Sequence, residues 1–277
     1  MTINNPHLNA LDNVAFPLVR AGMDKHKARE RAAQMLKKVQ LGHLTDRKPG
    51  ELSGGQQQRV AIARALAKDA SVLLLDEPFV NLDYKLREEL REELVELLAG
   101  NDRVTVLYAT TEPREALQMG TEVLVMDKGH LIQAQAPAPL FAAPANVDVA
   151  RIVSDPPINI LPLVLSGGRA QIEGLGQQDA LPLLAGLPDG PYFLGLRAGN
   201  LRVAIHGTPM TVRLTEVNGS ETLTYLDLNG TEVMMHEKAV TDHAFGQVLN
   251  IHTSFHDALV FDKDGRHLPV ATTESEV

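Results

Sequence analysis

The chain has 277 residues, room for about two domains, and its 44% hydrophobic content and mean hydropathy of −0.08 are those of a soluble globular fold. Acidic residues outnumber basic ones by 35 to 26, the reverse of what a nucleic-acid binder usually shows, and no basic stripe stands out. Cysteine is absent, which excludes disulfides and thiolate metal sites and agrees with a cytosolic setting. No apolar run approaches the ~18 residues of a membrane span; the stretch Ile158 to Leu165 is broken by Pro162. The polar N-terminus has no apolar h-region, so no signal peptide is expected.

Asp24 to Leu41 reads as an amphipathic helix. Ala28, Ala32, Met35, Leu36 and Val39 fall on one face, Lys and Arg on the other, and Gly42 is the expected stop. The basic face reads as a solvated surface. Leu44 to Leu52 is a polar loop containing Pro49-Gly50. It leads into Leu52-Ser53-Gly54-Gly55-Gln56-Gln57-Gln58-Arg59, where a loop ends in a serine and two glycines and a helix begins at once. Ser53 is a good N-cap. Gly54 and Gly55 add no side chain over the free N–H groups of the first turn, where the helix dipole favours an anion. Taken alone, the stretch is an ordinary capped helix after a turn. The helix runs from Gly54 to about Lys68 and packs Val60, Ile62, Ala63, Leu66 and Ala67.

Val72 to Leu75 is apolar on both faces, as a central parallel strand must be. It ends in Asp76-Glu77-Pro78, which puts two carboxylates at the end of the strand where open α/β sheets place their ligand crevice. In isolation that is no more than an acidic strand end. Asn81-Leu82-Asp83 follows, and Leu86, Leu90, Leu94 and Leu97 then repeat at helical spacing up to Gly100. Val104 to Ala109 is the next strand. Glu122 to Met126 and His130 to Ala134 form a hairpin around Asp127-Lys128-Gly129.

Ala134 to Ala145 is rich in alanine and proline and reads as a connection between domains. Short strands follow at 161–166, 169–173, 192–197, 211–217, 222–228, 231–236, 247–252 and 258–262, separated by turns with Gly, Asn or Asp, which predicts a small β-barrel. The aromatics there (Tyr192, Phe193, Tyr225, Phe245, Phe255, Phe261) alternate like core residues, against a base- or sugar-stacking surface. The ten histidines are scattered, and His252 and His256 lack a third ligand for a metal. The polar tail from Thr272 to Val277 is expected to be disordered.

The order Leu-Ser-Gly-Gly-Gln, then an apolar strand with Asp-Glu, then Asn-Leu-Asp resembles the ATP-binding cassette (ABC) ATPases of membrane transporters. The resemblance makes Ser53, Gly54, Gly55 and Gln56 the signature loop, which faces a nucleotide held by a second ATPase subunit. It makes Asp76 the residue holding the Mg²⁺ of ATP, Glu77 the general base for the attacking water, and Asp83 part of the D-loop. It implies a partial P-loop NTPase core of α/β class with a helical subdomain over residues 1–140. An all-β OB-type (TOBE-like) regulatory barrel is implied over 150–270. Pro156-Pro157-Ile158-Asn159, Gly195 to Leu201, Val217 to Thr222 and Leu259 to Asp262 resemble pieces of that second domain in sugar-importing members.

Two departures bear on activity. Asn5-Pro6-His7-Leu8 and Asp12 to Phe16 resemble the segment just after the family's Q-loop, which opens the helical subdomain and lines the groove for the permease's coupling helix. The family's Walker A loop is thus expected upstream, and the chain contains no Gly-Lys pair. Aligning Ala109-Thr110-Thr111-Glu112-Pro113 with the family puts Thr111 where a switch histidine contacts the γ-phosphate. Threonine donates one hydrogen bond but has no imidazole. A Thr-Thr-Glu-Pro version resembles a branch of importers for glycerol and related polyols. The expected role is the ATP-binding, hydrolysing subunit of a sugar, polyol or glycerol-type importer, at the cytoplasmic side of the membrane. Its partners would be a second ATPase subunit, permease subunits and, indirectly, a solute-binding protein, without nucleic acid. The alternative is a non-hydrolysing subunit that lends its signature loop to an active paralogue. A soluble ABC ATPase of DNA repair or translation is not expected to carry this C-terminal domain. By itself the chain is expected not to hydrolyse ATP.

Overall fold

A computed structural model of the protein describes residues 4–68, 70–80, 84–98, 104–179 and 181–269. They form two compact units, residues 1–111 and 112–277.

The first unit opens with a helix that periodicity alone did not assign, α1 (Ala10–Arg20). Its start is set by Asn9, whose side chain accepts from the N–H of Asp12, with that aspartate in the first turn where the dipole favours it. Asn13 is 2% exposed and ties the preceding loop. Its amide donates to the carbonyls of Asn5, Leu8 and Asn9 at 3.0–3.1 Å, and its Oδ1 accepts from the N–H of Asn5 at 2.7 Å. α2 (Lys25–Lys38) is capped by Asp24, which accepts from the N–H groups of His26 and Lys27. α3 (Gly54–Ala67) follows. Val14, Leu18, Ala28, Ala32, Leu36, Val60 and Ala63 are buried between the three helices, the alanines letting the axes approach.

α2 ends earlier than the Asp24 to Leu41 expectation. Gln40, not Gly42, takes the left-handed position (φ 60°). The N–H of Leu41 reaches the carbonyl of Leu36 at 2.7 Å and that of Gln40 the carbonyl of Lys37 at 3.1 Å, a Schellman closure. Leu41 is buried, so packing of this residue, not the glycine, decides where the helix stops.

β1 (Val72–Asp76) and β2 (Thr105–Ala109) pair in parallel, Val72 opposite Thr105 through to Asp76 opposite Ala109. Between them in the chain lies α4 (Tyr84–Leu98), which buries Leu90 and Leu94. The sequence predicted β1 covered on both faces. Leu73 and Leu75 are buried, but Val72 and Leu74 are 48% and 70% exposed, and β1 has one strand neighbour among the described residues. Burial on the second face requires a covering layer that the described residues do not supply.

The second unit begins with α5 (Pro113–Met119) and the hairpin of β3 (Val123–Asp127) and β4 (His130–Gln135). The alanine- and proline-rich connection is ordered: it holds α6 (Pro137–Ala142), with α7 (Val147–Ile152) close behind. Leu140 and Val149 are fully buried against Val123, Val125 and Val153. Pro137 at the helix start costs no hydrogen bond, which is why a proline-rich stretch can still be helical.

Among the described residues ten strands complete the unit. β5 (Asn159–Ser166), β6 (Arg169–Ile172), β7 (Gly176–Asp179), β8 (Gly190–Leu196), β9 (Leu201–Asn218) and β10 (Glu221–Leu228) come first. β11 (Thr231–Glu237), β12 (Val248–Thr253), β13 (Leu259–Phe261) and β14 (His267–Leu268) follow. They do not close as one barrel. One sheet has the order β14-β13-β8-β5-β6-β7 and the other β11-β10-β9-β12. The two share a single core, Leu161, Leu163, Ile172 and Leu194 from the first meeting Met210, Val212, Leu226 and Met235 from the second.

In place of a continuous ladder, one side chain splices the sheets. Asn159 donates to the carbonyl of Met234 at 2.9 Å and accepts from its N–H at 2.7 Å, standing in for a strand neighbour of β11. β9 extends ten residues before the predicted 211–217. It bulges against β12 between Asn250 and Ile251. A Cβ at Gly207 would lie 2.4 Å from the carbonyl oxygen of Ile251, so the close approach requires glycine.

Candidate functional site

Two groups of residues carry the chemistry, and both lie in the first unit. The first is the start of α3. Ser53 and Gln56 form a reciprocal capping box. The N–H of Gln56 donates to Ser53 Oγ at 3.3 Å and the N–H of Ser53 to Gln56 Oε1 at 2.9 Å. Ser53 and Gly54 are exposed, Gln56 is half-buried, and Gly55 is buried, so the open part of the loop is narrower than the four-residue pattern suggests. A Cβ placed on Gly54 would meet nothing within 4 Å. Neither a left-handed backbone nor packing within the chain requires glycine there.

The α3 start is held from behind by contacts the sequence did not signal. Asn4 donates to the carbonyl of Gln57 at 2.8 Å. Arg59, on the first turns of α3, pairs with Glu93 of α4 at 3.3 Å, and Gln40 donates to the same Glu93 oxygen at 3.0 Å. Burial raises the pKa of Glu93, Arg59 opposes the rise, and Glu89 and Glu96 add to it. One carboxylate therefore joins α3, α4 and the end of α2. Residues 40, 59 and 93 are too far apart in sequence for spacing to connect them.

The second group lies at the carboxyl ends of the parallel strands. Asp76 ends β1 on the face shared with exposed Val72 and Leu74. Glu77 turns away with φ 40°, and its N–H is fixed by the carbonyl of Ala109 at 2.9 Å. A side-chain-bearing residue at that φ is uncommon and marks a position held by its surroundings. Behind the turn the buried Phe79 ring packs against Tyr108, centroids 6.3 Å apart. The Thr111 hydroxyl, just past β2, donates to Glu77 Oε1 at 3.2 Å. The strands thus bring Asp76, Glu77 and Thr111 to one edge, and the threonine orients the glutamate directly.

Asp76 has no hydrogen-bond or ion-pair partner among the described residues and is exposed. No group of three or more His, Cys, Asp or Glu that could hold a metal occurs among them. A single free carboxylate fits Mg²⁺ that arrives with a nucleotide and takes most of its oxygens from phosphate and water, and does not fit an all-protein metal cage. Asp83 lies outside the described residues. Ser53 to Gln56 make no bond to Asp76, Glu77 or Thr111 among the described residues.

A family model described as ABC transporter matches residues 2–80. The chain is 34% identical over 278 aligned residues to an sn-glycerol-3-phosphate import ATP-binding protein, UgpC, of Chromohalobacter salexigens; the match covers 97% of this chain and 74% of that protein. It is 34% identical to the maltose/maltodextrin import ATP-binding protein MalK of Vibrio cholerae, over 94% of this chain and 73% of the relative. It is 39% identical to the Fe(3+) ions import ATP-binding protein FbpC of Agrobacterium fabrum, over 73% of this chain and 57% of the relative.

Proposed function

The chain belongs to the family of ABC transporter ATP-binding subunits, and on that premise we propose that it acts as the ATP-binding, hydrolysing subunit of an importer for sugars, polyols or glycerol-type solutes. Residues 1–140 serve as its ATPase part and 150–270 as an OB-type regulatory domain. Its place is peripheral, on the cytoplasmic side of the membrane, beside permease subunits and, through them, a solute-binding protein. The relatives' names span glycerol phosphate, maltodextrin and iron. Similarity of this chain therefore does not choose the solute, a choice that belongs to the membrane and binding subunits.

The observation that carries the reading is Gly54. A glycine at an exposed helix start, with open space where its Cβ would stand, is unexplained by the chain's own packing. It is explained if another molecule's phosphate comes up against the backbone there. In this assignment Ser53, Gly54, Gly55 and Gln56 face a nucleotide seated on a second ATPase subunit. Asp76 would hold Mg²⁺, which neutralises charge on the transferring phosphoryl group when bound. Glu77 orients the attacking water and takes its proton. The Thr111 hydrogen bond fixes the Glu77 carboxylate and occupies one of its oxygens. The aligned position carries the hydroxyl of Thr111 in place of the imidazole of a switch histidine. That favours a second reading, a subunit that lends its signature loop to a more active paralogue.

Gly54→Asp tests the proposal. An acid in the first turn of α3 complements the helix dipole, so folding is expected to be unchanged or slightly improved. A carboxylate against the incoming phosphate is expected to abolish MgATP-dependent association with a complete, Walker A-bearing ATP-binding subunit, measured by size-exclusion chromatography. Association that needs MgATP in the parent chain and survives Gly54→Asp would refute the assignment. Phosphate release by the 277-residue chain alone is expected to equal that of Glu77→Gln.

A further inference from the structure

Two helices of the first unit lead to the two groups of functional residues. α3 begins at the Ser53 to Gln56 loop, and α4 opens at Tyr84, seven residues beyond Glu77. An ion pair joins them: Arg59 Nη2 lies 3.3 Å from Glu93 Oε1. Arg59 stands six residues after Ser53, about 9 Å along the helix axis, so where its guanidinium is held sets where the N–H groups of the first turn point. The same Glu93 oxygen accepts from Gln40 Nε2 at 3.0 Å. Gln40 is the left-handed residue that ends α2.

Stability does not account for this pair. The two side chains are 17% and 21% exposed, so both lose hydration on folding. Burial holds the Glu93 carboxyl above the usual carboxylate range against the pull of Arg59, and Glu89 and Glu96 push the same way. The folded state therefore disfavours the charge, and ionised Glu93 costs stability at neutral pH. α4 is already anchored by buried Leu90 and Leu94. Apolar side chains in place of such a pair often leave stability equal or higher. What they do not reproduce is direction: a guanidinium meets a carboxylate in a fixed geometry, whereas apolar side chains slide past one another.

We propose that Arg59 and Glu93 are positioning residues for the signature loop. They set the direction of α3 against α4, and so the placement of Ser53 to Gln56 relative to the helix that follows Asp76 and Glu77 in the chain. Gln40 steadies the shared carboxylate from the end of α2. In this role neither side chain touches the nucleotide; both act through the backbone of α3. The inference rests on the reading that Ser53 to Gln56 face a second subunit's nucleotide, and adds to it the residues that aim the loop.

Two double variants of the full chain test it. MgATP-dependent association with a complete, Walker A-bearing ATP-binding subunit is titrated by size-exclusion chromatography, and stability is followed by urea unfolding. Arg59→Leu with Glu93→Leu is expected to keep the urea midpoint equal or higher and to weaken association about tenfold, within the range imposed by residues that link two sites. Arg59→Glu with Glu93→Arg restores a pair of opposite charge. It sets the guanidinium beside Glu89 and Glu96, and the Gln40 amide can turn to accept from it. This swap is expected to regain most of the lost affinity. A leucine pair that associates as tightly as the parent would overturn the inference. Affinity lost only in step with stability, or a swapped pair that does not regain affinity, would make the pair a plain packing contact and overturn it too. Gly54→Asp is measured beside them. If the parent does not associate, or Gly54→Asp leaves association intact, the loop assignment itself fails and this inference with it. If Gly54→Asp blocks association and the leucine pair does not weaken it, the positioning role alone is overturned.

Discussion

Replacing Asn159 is expected to unseat the junction between the two sheets of the C-terminal unit. Asn159 is 7% exposed and exchanges both of its amide hydrogen bonds with the backbone of Met234. In Asn159→Leu the side chain has similar size, but the N–H and C=O of Met234 lose their partners inside the protein. Each hydrogen bond contributes about 1 kcal/mol net, and each buried orphan group costs about 1–3 kcal/mol. The expected loss is about 2–5 kcal/mol, less whatever water reaches the site. Asn159→Asp gives a second, sharper readout. Its carboxylate still accepts from the N–H of Met234 but sets a negative oxygen against the Met234 carbonyl. Protonation restores the donor, so the folded pKa of the introduced acid lies above its unfolded value, and the deficit of this variant shrinks as pH falls through that folded pKa. The chain has no tryptophan, so urea unfolding is followed by far-ultraviolet circular dichroism, with hydrogen exchange of the 231–237 segment as the local probe. If Asn159→Leu unfolds within about 0.5 kcal/mol of the parent and Met234 keeps its protection, the splice is not what joins these sheets.

The same logic applies to Asn13, whose amide serves four backbone groups of the opening loop. Asn13→Leu is expected to cost about 2–5 kcal/mol, read as lower thermal stability and proteolytic opening near residues 5–9. Burial lowers the pKa of His267, which packs on the Phe261 ring at 5.6 Å. The folded state therefore resists its protonation. Stability from this residue is intact above the unfolded pKa of about 6.5 and declines as pH falls below it. His267→Phe should flatten that decline between pH 7.5 and 5.5 in urea titrations, and an unchanged slope would dismiss the explanation. Leu74 is 70% exposed on a strand face that the described residues leave uncovered. Leu74→Lys is accordingly expected to reduce light scattering of the 277-residue chain at high concentration with no loss of stability, since apolar strand surface invites association.

Much of the first unit could be read in the residues because its signals are local. The Ser53 cap and the Val72 to Asp76 strand each lie within a few positions of the signals that announce them. The chain-end signals misled where packing outweighed them. Gly42 looked like the stop of α2, yet the burial of Leu41 drew the left-handed turn back to Gln40. Proline-rich 134–145 looked like a linker because composition does not report that Leu140 has a core to enter. The predicted barrel became two sheets since alternation assigns strand faces but not how ladders close. In the candidate site, the placement of Glu77 and Thr111 side by side followed from parallel pairing, which the order of motifs implied. The Arg59–Glu93–Gln40 junction did not, because it joins positions separated by 19 and 34 residues that share no period.

The reciprocal cap of Ser53 and Gln56 has a thermodynamic consequence. A loop that is already folded on itself has little conformational freedom left to surrender when an anion arrives. Engagement requires only that the bond to Ser53 Oγ, long at 3.3 Å, be traded for one to the newcomer. Recognition at this helix start should therefore carry a small entropic penalty and a correspondingly weak dependence on temperature.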